Sequence, residues 1–134
     1  MPLLKAAGGG AIANMSSAAG RHGYPYRTPC SAAKFGIIGL TESLAKELGP
    51  AGIAVNAILP GVVEGSRIKS VIRARAAQLG LSIAEIEKQY LEKVSLRRMV
   101  SADDVAQTVL FLVSPLGRNV SGRSIGACRN VETP

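Results

Sequence analysis

The chain has no tryptophan, three tyrosines, two phenylalanines, one histidine and two cysteines in 134 residues. Each shortage removes a class of protein. With aromatic residues at 4%, any core must be built from aliphatic side chains and alanine. His22 with the distant Cys30 and Cys128 gives neither a metal-ligand spacing nor a disulfide framework, so no metal is expected. No apolar run approaches the roughly 18 residues that cross a bilayer, and the opening MPLLKAAGGG lacks the basic segment and apolar run of a secretory leader. These absences lead us to expect a cytoplasmic, reducing setting without membrane contact.

Acidic residues are also scarce, with 9 Asp+Glu against 16 Lys+Arg and a formal net charge of +7. Such an excess attracts nucleic acid, anionic membrane or an acidic cofactor alike. Its densest stretch holds Arg67, Lys69, Arg73 and Arg75. At helical spacing Ile68, Val71, Ile72 and Leu79 form an apolar stripe there, interrupted by Arg75, so most of the charge reads as a solvated face. No aromatic interleaving or reader motif accompanies it, and nucleic acid is not an expected partner.

What is present is 47% hydrophobic residues and 19% charged ones, which suits one globular α/β domain over residues 1–134. A glycine cluster, Gly8 to Gly10, precedes a short apolar run read as a buried strand, about Ala11 to Met15. Gly20 to Pro29, with two glycines and two prolines, reads as a loop. A helix is expected from about Ser31 to Leu48, with Ala33, Ile37, Leu40, Leu44 and Leu48 as its apolar stripe and Ile38 and Ala45 on a second face. Gly49-Pro50 should end it. The run IAVNAIL, Ile53 to Leu59, predicts a second strand closed by Pro60-Gly61.

Strand, helix and strand make a βαβ unit, so the two strands should be parallel and covered by helices. Two helical pieces follow, separated at Gly80, and Ser82 with Glu85 fits a capping box for the second. Ser101 through Val113 predicts another helix with Val105, Val109 and Leu112 inward. Ser121 to Ala127 reads as a last strand.

The stretch Met15 to Lys34, MSSAAGRHGYPYRTPCSAAK, sets a hydroxyl pair, a turn and a helix-borne lysine in fixed order. Cys30 and Lys34 stand one helical turn apart and project from nearly one face. Ser17, position 30, Lys34, the string FGIIGLTESLAKELGPAGIAVN, Pro60-Gly61 and DDVAQTVLFLVSP followed by VSG together closely resemble the C-terminal half of the short-chain dehydrogenases/reductases. The resemblance covers nearly the whole chain. It implies a doubly wound Rossmann sheet and hydride transfer between NAD or NADP and a small alcohol or carbonyl substrate. It further implies catalytic positions at Ser17, Cys30 and Lys34, where the family's serine holds the substrate oxygen and its lysine acts on a tyrosine and on the nicotinamide ribose. Lys34, Pro60, Gly61, Val62 and Val63 would face the cofactor.

The sequence departs from that pattern in several places. Cys30 occupies the tyrosine position, and its sulfur would fall about 3 to 4 Å short of where a phenol oxygen reaches. Tyr24 and Tyr26 lack the one-turn relation to Lys34. The family's glycine-rich turn and its ribose-reading residue are absent, and Gly8 to Gly10 precede a strand where a phosphate cradle must follow one. The asparagine of the family's preceding helix is absent too, Gly65 stands where many members have Thr, and Cys128 and Arg129 replace an Asp-Gly pair.

The expectation is therefore a partial Rossmann α/β fold of about three parallel strands with flanking helices. Its first strand should leave one edge unpaired, and the chain should form a homo-oligomer through the helix 31–48, as in the family. The expected function is that of a truncated homologue of NAD(P)-dependent oxidoreductases, inactive alone and unable to bind a whole dinucleotide unaided. The alternatives are an enzyme completed by a partner chain and a non-enzymatic module that uses the basic surface.

Overall fold

The structure, a computed structural model, describes residues 1–127, in the order α1 (Pro2–Ala6), β1 (Gly10–Met15), α2 (Thr28–Leu48), β2 (Ile53–Pro60), α3 (Ser66–Leu79), α4 (Ile83–Glu92), α5 (Ala102–Val113) and β3 (Ser124–Ala127). Single 3₁₀ turns stand at Ala18–Gly20, Gly49–Ala51 and Pro115–Gly117. Cys128 and Arg129 lie outside the described residues.

β2 is the centre of a three-stranded parallel sheet ordered β1-β2-β3. Ile53, Val55, Asn56, Ala57, Ile58 and Leu59 are all at 1% exposure or less. Successive side chains of a strand point to opposite faces, so the consecutive burial of Val55 to Leu59 requires cover on both. α2 supplies one cover, where Leu48, Ile53 and Val55 pack with Leu4, Ile12, Leu44 and Ala45. α5 runs against all three strands and supplies the other. β1 pairs with β2 alone among the described residues, which leaves its outer edge open as expected.

The sheet is fastened from β2 outward by side chains. The Asn56 amide donates to the Val120 carbonyl at 2.7 Å and accepts from the Arg123 amide at 3.1 Å. The Val55 amide donates to Ser121 Oγ at 3.1 Å, and the Val55 carbonyl accepts from Gly122. A buried strand thus leads the chain into β3 by satisfying that chain's polar groups. This explains why the expected strand from Ser121 starts only at Ser124: Ser121 to Arg123 form the fastening, and Gly122 turns at φ +69°.

Two other expectations are corrected. α2 begins at Thr28, because Pro29 falls in the first turn of the helix, where a missing N–H costs nothing. Its inward stripe is Lys34, Ile37, Ile38, Thr41, Leu44, Ala45 and Leu48, while Ala33 and Leu40 face outward. α2 ends at Leu48 with Gly49 as its cap, as expected, but the chain continues through a 3₁₀ turn with Pro50, and the left-handed glycine is Gly52 at φ +70°.

α3 and α4 form a hairpin with a core of its own, Ile72, Ala76 and Ile86, joined by Ile68, Tyr90 and Met99. Gly80 ends α3 in the left-handed region, and the Ser82–Glu85 capping box opens α4 as the sequence implies. Glu85 accepts from the Ser82 hydroxyl and the Ser82 amide, and these two bonds hold its carboxyl below the usual value. A second such box, Ser101 with Asp104, opens α5.

Candidate functional site

Parallel strands deliver their carboxyl ends to one rim of a sheet, where open α/β folds bind ligands. β1 and β2 are in register with Met15 opposite Ile58, and the Ser16 amide extends the ladder by donating to the Ile58 carbonyl at 2.8 Å. Ser17 is thereby brought to the level of Pro60. Ser17 and the Pro60–Val63 segment therefore follow neighbouring strands at one rim of the sheet.

The chain then turns back sharply. Ser17 caps the Ala18–Gly20 turn, its Oγ accepting from the Ala19 amide at 3.2 Å. Gly20 closes that turn against α2 so tightly that a Cβ there would sit 2.6 Å from Ser16 Oγ and 2.7 Å from the Lys34 carbonyl. Only a residue without a side chain allows that approach.

Lys34 meets this turn from the helix. Its Nζ donates to the Met15 carbonyl at 3.0 Å, and its own carbonyl accepts from Ser16 Oγ at 2.8 Å. Lys34 is thus held at the end of β1 by the two residues that precede Ser17. Cys30 lies one turn nearer the start of α2 and is exposed. Tyr26 projects fully into solvent from a backbone with φ +63°.

On the β2 side, Gly61 donates to the Ala127 carbonyl at 3.3 Å, and Val62 and Glu64 exchange bonds with Val100 at 2.9 and 2.8 Å. Val63 bridges Val100 in parallel. The Pro60–Val63 segment is half-buried and is held on two sides.

The doublet Ser16-Ser17 divides its labour in a way the sequence reading missed. Ser16 is the buried anchor at 4% exposure, and Ser17 is the turn cap. The signal was available in period-two alternation, which turns adjacent residues to opposite sides. A second missed contact is Asn14 Nδ2 donating to Thr41 Oγ1 at 3.0 Å, with Thr41 in turn donating to the Ile37 carbonyl. It ties β1 to α2 below the site.

A dinucleotide needs a cradle for its pyrophosphate as well as a seat for its nicotinamide. The triple glycine does not provide the first. Gly9 stands where a Cβ would be 2.7 Å from the Gly52 carbonyl, a Cβ at Gly10 would be 2.8 Å from the Leu4 side chain, and the Gly10 amide donates to the Gly52 carbonyl at 3.2 Å. These glycines admit a close crossing of α1 and the Gly52 turn. The Gly8–Gly10 cluster is therefore taken up by packing and is no pyrophosphate cradle, and the half-buried Pro60–Val63 segment is the part that the resemblance assigns to the nicotinamide. Also among the described residues, no cluster of His, Cys, Asp and Glu is spaced to hold a metal ion, and no helix is long and apolar enough to cross a membrane.

This parallel sheet with its flanking helices is that of a Rossmann-type α/β fold. Residues 1–127 match the enoyl-(acyl carrier protein) reductase family, and the chain belongs to that family within the short-chain dehydrogenases/reductases. It is 38% identical over 116 residues to the 3-oxoacyl-acyl-carrier-protein reductase FabG of Aquifex aeolicus, covering 87% of this chain and 42% of that one. Among solved structures, sorbitol-6-phosphate 2-dehydrogenase from Erwinia amylovora matches with a TM-score of 0.83 at 33% identity, over 89% of this chain and 47% of the other. An actinorhodin polyketide ketoreductase solved with NADPH matches at 0.84 and 32%, over 92% and 47%. The chain spans less than half the length of these relatives.

Proposed function

We propose that this chain supplies the catalytic half of an NAD(P)-dependent alcohol or carbonyl oxidoreductase, and that these 134 residues alone do not carry out hydride transfer. The observation that carries the reading is the seating of Lys34 against Met15 and Ser16, the two residues before Ser17. A hydroxyl has one donor and two acceptor sites. With one acceptor site given to Ala19, Ser17 keeps its proton for a substrate oxygen. Lys34 keeps two of its three donors for a ribose hydroxyl and for the proton donor of the reaction.

Cys30 takes the proton donor's place with a shorter arm, and the pyrophosphate has no cradle among the described residues. Pro60, Gly61, Val62 and Val63 would line the nicotinamide end. When bound, the cofactor would give or accept the hydride, and this chain's part would be to orient the substrate oxygen and supply charge near it. The reading places the chain in the cytoplasm.

Two surfaces support assembly. The outward face of α2 exposes Phe35 at 47% and Leu40 at 52%, with Gly36 and Gly39 open between them, and suits a second copy of the chain. The unpaired edge of β1 favours a second reading, in which another polypeptide adds strands and the cofactor cradle. The test is turnover of carbonyl substrates with NADPH by the chain, by Cys30→Tyr, and by each mixed with the amino-terminal half of a relative. The reading expects turnover only from Cys30→Tyr in the mixture. Turnover by the unaltered chain alone would reject it.

A further inference from the structure

We infer that Ser16 is a positioning residue for Lys34, with its buried hydroxyl setting where the lysine ammonium sits relative to Ser17. This rests on reading Lys34 as the site lysine.

Two consecutive residues at the end of β1 hold the same lysine at its two ends. Met15 offers its carbonyl to Nζ at 3.0 Å, and Ser16 donates its hydroxyl to the lysine's main-chain carbonyl at 2.8 Å. Ser16 is itself fixed, 4% exposed and bound through its amide to the Ile58 carbonyl of the central strand. The lysine's place is therefore referred to β2, the most buried element of the molecule. Gly20 completes the arrangement, since any side chain there would push against both Ser16 Oγ and the Lys34 carbonyl.

A helical carbonyl already accepts from the amide four residues on, and its second lone pair is free for one further donor. Ser16 therefore anchors α2 at Lys34 without breaking the helix. If the bond is lost, α2 can move away from the strand end, and the Nζ bond to Met15, which needs both to be close, weakens with it.

The measurement is the residue-resolved rate at which an amine acylating reagent labels Lys34, with Lys46 near the other end of α2 as internal reference. Neither cofactor nor turnover is involved, so a chain without oxidoreductase activity still gives an answer. Ser16→Ala should raise the Lys34 rate about fivefold relative to Lys46, the loss expected for one net hydrogen bond. Ser16→Thr, which keeps the hydroxyl, should return it to within about twofold of the parent. If Ser16→Ala does not fold, Ser16→Cys, which keeps the volume but donates weakly, should give a rise in the same direction. A Lys34 rate unchanged relative to Lys46 in whichever of these two folds, with only melting affected, would overturn the inference. So would a rise in Ser16→Thr equal to that in Ser16→Ala.

Discussion

The β1-α2-β2 unit and the α3–α4 hairpin are built from similar side chains and are held in opposite ways. In the first, β2 is buried at consecutive positions, and its polar groups bond outward to Ser121, Val120 and Arg123. In the second, three buried residues pack with three half-buried ones, and the attachment to the sheet passes through the Val63–Val100 bridge and its flanking bonds. The lesson is that two regions with similar apolar cores are tied to the rest of the molecule by different means. Ser17 and Lys34 sit on the part tied to the sheet through the Ser16 amide and the Asn14 side chain, while the hairpin has its own core of Ile72, Ala76 and Ile86. Segments with few shared apolar contacts open at lower free energy than a core strand does.

The largest test of this contrast is a pair of cavities. Ile58→Ala should cost about 3 to 4 kcal/mol and lower hydrogen-exchange protection throughout the chain. Ile86→Ala removes the same atoms from an equally buried site, yet protection should fall in α3 and α4 and stay near the parent value in β2. Equal loss everywhere in both variants would join the two regions into one cooperative unit.

A smaller effect is expected at the site's tightest point. Gly20→Ala places a Cβ 2.6 to 2.7 Å from two oxygens and should cost about 1 to 3 kcal/mol by overpacking, read from denaturant midpoints. The hairpin should keep its protection. An unchanged midpoint would mean that the turn does not press on α2.

The smallest effect concerns acid. Glu85 has a lowered pKa in the folded chain, first through the Ser82 hydroxyl and then through the Ser82 amide. A group with a depressed folded pKa contributes stability that is present above its ordinary value, here 4.5, and lost as pH falls through the folded one. The first turn of α4 should therefore fray below about pH 4.5, with amide exchange rising there before it rises in β2. Glu85→Gln should remove most of that pH dependence. Persistence of the same acid response in this variant would assign it to other carboxylates.

Much of the scaffold is legible in the residues. The apolar runs at Ala11 to Met15 and Ile53 to Leu59, the Ser82–Glu85 box and the opening of α5 at Ser101 all form where local pattern puts them. So does the one-turn relation of Cys30 to Lys34. What escapes the reading is set by tertiary contact. Thr41 and Lys34 are polar, yet both fall on the inward stripe of α2, because Asn14, Met15 and Ser16 offer them partners. Leu40 faces outward although its spacing suits a core. Asn56 interrupts an apolar run and is nonetheless 1% exposed, since both ends of its amide are satisfied by a segment more than sixty residues away. No local signal distinguishes such an asparagine from a surface one.

We propose that Ser17 and Lys34 serve a substrate oxygen and the nicotinamide end of a dinucleotide whose pyrophosphate finds no cradle among the described residues. Calorimetric titration of the purified chain with NADH and with NADPH tests it most directly. No saturable binding of either is expected below about 1 mM, because the pyrophosphate finds no cradle among the described residues. A dissociation constant in the low-micromolar range, about 8 kcal/mol of binding, would contradict it.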